Sequence, residues 1–135
     1  TGHWMNDSFL NRLQSLAGIM GAIGVIFGAF GAHFLKSRLD AGDLDTIKTG
    51  VLYLFIHTLA TLFVCLRSKQ QSGSRQLRIA GLAFVFGSIM FSGSLFIIGT
   101  ASLTGFPVST IGFITPLGGL CFILGWIFLV FQKSN

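Results

Sequence analysis

Two histidines and one tyrosine are notable because they are chemically versatile side chains within or beside long apolar segments. Tyr53 and His57 are four residues apart, so a helix places them on the same face. A histidine there can titrate, form hydrogen bonds or ligate a metal. Ionisable side chains inside a membrane-spanning helix are costly and are therefore candidates for function. The candidate ligand-binding cluster comprises His33, Tyr53, His57, Ser92, Ser94 and Thr115.

Each member of this cluster also has a purely structural interpretation. His57 could hydrogen-bond Ser92, Thr115 or a carbonyl freed by a proline, and so hold helices together. His33 could contact lipid headgroups, and Tyr53 could be an aromatic anchor at the membrane interface. Serine and threonine hydroxyls often bond to their own helix. What favours a site is the convergence of these polar groups at a similar depth.

The residues that enzymes use are poorly represented. The chain contains no Glu, and its four acidic residues are aspartates outside the apolar segments. There are no paired carboxylates and no cluster with metal-ligand spacing. Cys65 and Cys121 lie inside apolar runs and are interpreted as small hydrophobic residues. We therefore predict a protein that is not an enzyme, with no catalytic residue, no metal and no cofactor.

The composition is that of a membrane protein. A soluble domain carries about 25% charged residues, whereas this chain of 135 residues carries 10% and is 52% hydrophobic. The mean hydropathy is +0.78. The net charge of +5 does not indicate nucleic-acid binding, because the basic residues lie at the ends of apolar runs. Residues 1–4 precede Met5 and are interpreted as a tag remnant, which leaves 5–135 as one transmembrane domain.

Four apolar stretches are long enough for a helix to cross a bilayer, which needs roughly 20 residues with a range of about 17–25. Backbone groups in hydrocarbon must pair within their own segment, so these stretches are predicted to be helices. The predicted fold class is an all-α integral membrane four-helix bundle. The spans cover about residues 13–35, 49–66, 77–100 and 110–131.

Two further local features follow from helix-end chemistry. Between the first two spans, a short amphipathic outer helix is predicted, with Asp43 as its cap and Leu44, Ile47 and Lys48 within it, running on into the second span. In the fourth span, Pro116 either kinks the helix or begins its regular part with Thr115 as the cap.

The distribution of Lys and Arg predicts an orientation. Six basic residues fall on one side of the membrane if there are four spans: Arg12, Arg67, Lys69, Arg75, Arg78 and Lys133. On the other side, Lys36, Arg38 and Lys48 are accompanied by aspartates, and the last loop is uncharged. The positive-inside rule then places both termini in the cytoplasm.

Small residues mark the predicted helix-packing faces. On the first span the glycines share an arc of about 140°, with bulky Ile and Phe side chains opposite, and Gly24 and Gly28 form a GxxxG pair. The third span has a seam of small residues, and the fourth has two adjacent glycines. The predicted packing residues are Gly18, Gly21, Gly24, Gly28, Gly31, Gly81, Ser88, Gly99, Gly118 and Gly119.

Four ordered segments resemble the YgdD/YwdK-like family of small bacterial inner-membrane proteins. They are residues 28–33 (GAFGAH) with Leu35-Lys36, residues 49–51 (TGV) with Tyr53 and His57, residues 91–95 (FSGSL) and residues 114–119 (ITPLGG), followed by Gly125-Trp126. The resemblance extends from about Ser15 to Phe131. It implies a four-span protein of the bacterial inner membrane and no established activity.

Three functional hypotheses remain open. The first is a structural or accessory protein that binds membrane lipid or membrane proteins, including a second copy, through its glycine-rich faces. The second is an oligomeric transporter of a small solute or proton that uses the cluster around His57. The third is a redox protein that binds quinone or haem through His33, His57 or Tyr53.

Overall fold

The computed structural model describes residues 3–70 and 74–132, with side chains described from residue 8 onwards. This part of the chain is helical and contains no strand. Its α-helices are α1 (His3–Val25), α2 (Ala32–Leu35), α3 (Ala41–Gln70), α4 (Arg75–Gly99), α5 (Ala101–Thr104) and α6 (Ile114–Val130). The fold class predicted from the sequence is confirmed as all-α. That residues 1–4 are a tag remnant stays a prediction, and residues 1 and 2 lie outside the described part.

The first apolar segment is helical throughout but changes its winding. A π-helical segment, Ile26–Gly31, joins α1 to α2. π-Helical turns widen the helix by about one residue per turn and shift the angular register of everything after them. Consequently the glycine face predicted from a constant 100° per residue does not continue unchanged beyond Val25.

α3 is one continuous helix that includes the predicted outer helix as its first turns. Its cap is Asp40, not Asp43: the backbone N–H of Asp43 donates to Oδ1 of Asp40 at 2.7 Å. A cap side chain accepts from an N–H two or three residues later, so the aspartate that begins the helix does the capping. The prediction of Asp43 as the cap was wrong by three residues.

The ends of α4 and α6 also follow from local chemistry. Ser74 caps α4 by accepting the N–H of Leu77 at 3.3 Å. After α5, Gly105 adopts φ 75°, and a 3-10 turn at Val108–Thr110 leads to α6. α6 begins at Ile114, four residues later than predicted, so Pro116 lies in its first turn. A proline there breaks no internal hydrogen bond, and the helix starts near it instead of kinking at it.

The four long helices form a row in the order α1, α3, α4, α6, in which side chains of α1 also contact α4 and side chains of α3 also contact α6. α4 packs along α3 on one side and along α6 on the other, while α1 packs mainly against α3. The buried core runs through the row and includes Leu13, Val64, Leu77 and Phe84. Because α1 and α6 lie at the two ends of the row, each keeps a face that no other helix among the described residues covers.

Basic residues collect where α3 ends and α4 begins, at Arg67, Lys69, Arg75 and Arg78. Arg78 at the start of α4 lies over the ring of Phe9 in α1, with its guanidinium carbon 4.6 Å from the ring centroid. Ser74 hydrogen-bonds Gln132, which follows α6. These contacts hold the N-terminal part of α1, the start of α4 and the end of α6 close together. Lys133 lies outside the described residues.

Three helical segments are long and apolar enough to cross a membrane by length and composition: Ser8–Leu35, Ala41–Gln70 and Arg75–Gly99. α6 is apolar but has only 17 residues, which corresponds to about 25 Å. Large hydrophobic side chains are exposed along all four helices, for example Phe30 at 70% and Val130 at 77%. An apolar surface of this extent matches a lipid environment.

Candidate functional site

His57 lies in the middle of α3 and is buried, with 3% of its surface exposed. Its Nδ1 is 2.7 Å from the carbonyl oxygen of Tyr53, and its Nε2 is 3.0 Å from the indole nitrogen of Trp126. An indole N–H can only donate, so Nε2 must accept. Nδ1 therefore carries the proton and donates it to the Tyr53 carbonyl. Both ring nitrogens are occupied, and the imidazole is neutral.

Aromatic rings surround this histidine on several sides. The Phe122 ring stacks on the imidazole with centroids 3.5 Å apart and planes 10° apart. The Phe84 ring lies 5.5 Å away, and the Trp126 ring meets the imidazole edge-on at 5.7 Å. Since these rings come from α4 and α6, the imidazole links three helices at one level. Close packing and hydrogen bonding leave it in contact with protein and not with an open passage.

The predicted polar cluster is divided by the structure into separate pairs. Ser92 donates to the backbone carbonyl of Gly50 at 2.7 Å, joining α4 to α3. The hydroxyls of Ser94 and Thr115 are 2.5 Å apart, joining α4 to α6. The expectation that His57 bonds Ser92 or Thr115 was therefore wrong. The two serines are only two residues apart in α4, so they point to opposite neighbours.

Tyr53 and His33 also differ in their surroundings. The Tyr53 ring packs on Phe91 with centroids 4.7 Å apart, while 39% of the residue remains exposed. His33 is exposed in α2, beside Phe30 and Phe34 in a shallow depression on the surface. His33 is not among the groups that surround His57, so the two histidines do not form one site. Ligand binding by the individual residues stays a prediction.

The glycines of the first span divide into packed and open positions. A Cβ atom on Gly24 would come within 2.8 Å of the Phe55 ring, and one on Gly28 within 3.1 Å of Val51. A Cβ on Gly21 would make an ordinary contact with the Thr58 methyl, and one on Gly31 would meet only its own helix. A Cβ on Gly18 would meet no atom within 4 Å. Close packing against α3 therefore involves only the middle of the predicted glycine face.

The small residues of α4 and α6 bring helix backbones close together. A Cβ on Gly118 would lie 2.5 Å from the Phe91 backbone nitrogen, so α6 touches the α4 backbone there. Gly81 and Gly99 similarly face side chains of other helices, whereas a Cβ on Gly119 would lie 4.0 Å from the Phe91 ring. Ser88 is buried, and its hydroxyl has no hydrogen-bond partner among the described residues.

Sequence reasoning missed Trp126 as the partner of His57. A weak signal exists: Phe122 and Trp126 are four residues apart on α6, and a partly buried indole N–H usually finds an acceptor. It also missed Gly125, where a Cβ would lie 2.5 Å from the Phe84 ring. The missing side chain at Gly125 leaves room for the Phe84 ring against α6, next to Trp126.

The arrangement offers little to the transport and redox hypotheses. Haem ligation or proton transfer requires a histidine nitrogen with a free lone pair or an exchangeable partner, and both nitrogens of His57 are held within the protein. Within residues 3–70 and 74–132, no three His, Cys, Asp or Glu side chains come together in a way that could hold a metal ion. Cys65 and Cys121 are free thiols.

Comparisons with known proteins agree with the fold. The chain is 37% identical to the UPF0382 membrane protein YwdK of Bacillus subtilis, an alignment that covers 83% of this chain and 90% of that protein. It is 35% identical to a UPF0382 membrane protein of Haemophilus influenzae, over 90% and 92% of the two chains. It is 34% identical to the UPF0382 inner membrane protein YgdD of Escherichia coli, over 84% and 82%.

No solved structure matches the chain significantly. The family model described as "Protein of unknown function (DUF423)" matches residues 27–119. This range begins in the π-helical segment and ends in the first turns of α6, so it includes the packing of α3 on α4. The relatives named above extend the match to most of the chain, and this chain therefore belongs to the DUF423 family of membrane proteins.

Proposed function

We propose that the protein is a non-enzymatic, structural protein of the bacterial inner membrane that assembles through in-plane contacts between helices. The observation that carries the proposal is the contrast between its interior and its edge. The interior polar groups of α3 form hydrogen bonds within the protein, as at His57 and Gly50. The edge formed by α1 exposes small residues that no other part of the described structure covers.

The small-residue face of α1 consists of Ser15, Gly18, Ala22 and Val25, all of them exposed. Their spacing of three, four and three residues places them in one stripe along the helix. In hydrocarbon there is no hydrophobic force between helices, so association depends on close backbone approach, which small residues permit. This face therefore fits another transmembrane helix.

A second copy of the chain is the proposed partner. Two copies inserted in the same direction present parallel α1 helices, and a two-fold axis along the membrane normal brings identical residues together at the same depth. Gly18 then lies opposite Gly18, and Ala22 opposite Ala22. The side chains on both faces are small, so the two helices can approach closely without steric conflict.

The proposed topology has four crossings with both termini in the cytoplasm. Its support is the distribution of basic residues. In a four-span arrangement, the residues on one side of the membrane are Arg12, Arg67, Lys69, Arg75 and Arg78, and the positive-inside rule assigns that side to the cytoplasm. α6 is short for a span, at 17 residues, but it lies within the 17–25 residue range of transmembrane helices.

The test compares two glycine substitutions. Gly18 and Gly93 both lie in long helices, and a Cβ on either would meet no atom within 4 Å. Gly18→Leu should abolish energy transfer between donor- and acceptor-labelled copies in proteoliposomes, while Gly93→Leu should leave it at the wild-type level. Equal transfer in both variants, or no transfer above dilution controls in the wild type, would contradict the proposal.

A further inference from the structure

A groove of about 240 Å³ lies between the π-helical segment and the first half of α3. We call it the π–α3 groove. Nine residues line it, and eight of these are apolar or glycine, including Phe27, Val51 and Phe55. The one charged lining residue is Lys48. The groove thus combines an apolar channel with a single cation, which is the chemistry of a site for an amphipathic anion.

The position of Lys48 gives the groove a direction. Lys48 is exposed, and the apolar run of the second span begins immediately after it. From Lys48 to Phe55 the groove follows α3 for seven residues, or about 10 Å. A cation at the membrane interface and an apolar channel descending from it match the phosphate and one acyl chain of a phospholipid.

The charged residues near Lys48 leave its ammonium group available to bind an anion. Asp40 accepts the N–H of Asp43 at the helix cap, and neither of these aspartates, nor Asp45, lines the groove. Lys48 forms no salt bridge with any residue in the described part of the chain. Arg38 lies over the Phe34 ring, with its guanidinium carbon 3.9 Å from the centroid, and does not line the groove either.

Gly28 forms part of the floor of the groove, where the first helical segment comes close to α3. It lies in the π-helical segment, is exposed, and a Cβ on it would come within 3.1 Å of Val51. Any larger residue at this position would occupy the space between the two helices. An exposed glycine in a widened helical turn thus creates concave apolar surface where a regular helix would present a side chain.

We propose that the π–α3 groove binds one phospholipid, with its phosphate on Lys48 and an acyl chain along Val51 and Phe55. The site lies at the level of residues 27–32 of the first helical segment, beyond the small-residue face of α1, which ends at Val25. Lipid binding here does not depend on self-association, so each can fail without the other.

The experiment is native mass spectrometry of the detergent-purified protein titrated with palmitoyl-oleoyl-phosphatidylglycerol. Leu52 lines the groove and is 57% exposed, so Leu52→Trp should fill the groove without disturbing the core. Leu59, seven residues later on the same face of α3 and 66% exposed, is the matched control. The wild type and Leu59→Trp should each retain one lipid per chain, and Leu52→Trp should bind it at least tenfold more weakly.

A charge variant tests the headgroup contact. Lys48→Gln should weaken phosphatidylglycerol binding about fivefold, the effect of one cation near a membrane surface, whereas Lys36→Gln at the same end should not change it. Equal lipid retention by Leu52→Trp and Leu59→Trp would overturn the proposal. So would adducts of a second chain in place of lipid, or a wild type that holds no lipid when phosphatidylglycerol is in excess.

Discussion

The hydrogen bond between Trp126 and His57 supports a quantitative prediction. Trp126→Phe keeps an aromatic ring against Phe84, whose centroid is 5.0 Å from the indole, but removes the N–H that His57 accepts. His57 is 3% exposed, so water cannot easily replace the lost donor. A buried acceptor left unpaired costs about 1–3 kcal/mol. Hydrogen bonds between membrane helices average about 0.6 kcal/mol and reach about 1.7.

We therefore expect Trp126→Phe to lower the free energy of unfolding by about 1–2 kcal/mol. The assay is reversible unfolding in mixed micelles with increasing SDS. A double-mutant cycle combines Trp126→Phe with His57→Phe and the double variant. The coupling energy between the two side chains should be about 0.6–1.7 kcal/mol. In parallel, ¹⁵N NMR of the histidine ring should place the proton on Nδ1 of His57.

Additive energies in this cycle would refute the argument, because two side chains that share a hydrogen bond must couple. A proton found on Nε2 would refute it independently, since the indole N–H would then face another donor. Either result would return His57 to the list of groups that are free to bind a ligand or transfer a proton.

Two further predictions concern packing and topology. Gly118→Ala, whose Cβ would lie 2.5 Å from the Phe91 backbone nitrogen, should lower stability by about 1–3 kcal/mol in the same SDS assay. Gly93→Ala, with no atom within 4 Å, should be neutral or stabilising by up to about 1 kcal/mol; equal effects would contradict the close approach of α4 and α6. In a cysteine-free background of intact cells, an impermeant thiol reagent should label Leu103→Cys but not Gln76→Cys, and the reverse pattern would contradict the proposed orientation.

The helices and their approximate limits were predictable because they depend on local properties. Continuous apolar runs require backbone pairing within the segment, which identifies the four long helices. The error at Asp43 is of three residues, since several aspartates near the start of α3 compete to cap it, and α6 starts late because a 3-10 turn at Val108–Thr110 precedes it. The π-helical segment at Ile26–Gly31 was not predicted, because nothing in the 3.6-residue pattern marks a change in winding.

The organisation of the polar groups was only partly predictable. Helical spacing correctly placed Tyr53 next to His57, but the register between helices is not contained in any one helix. That register decides that Ser92 meets Gly50 and that the Trp126 indole reaches across 69 positions of sequence to His57. Depth alone suggested one cluster, whereas the direction of each side chain produces separate pairs.

The central claim is that the protein assembles through the small-residue face of α1. Its most direct test is cysteine cross-linking in native membranes, with Cys65 and Cys121 replaced by alanine. Ala22→Cys should form a disulfide-linked dimer upon oxidation, because identical residues meet at a parallel two-fold contact. Ile123→Cys, 55% exposed on α6 in the wild-type protein, should remain monomeric. No dimer through position 22, or equal dimer at both positions, would contradict the claim.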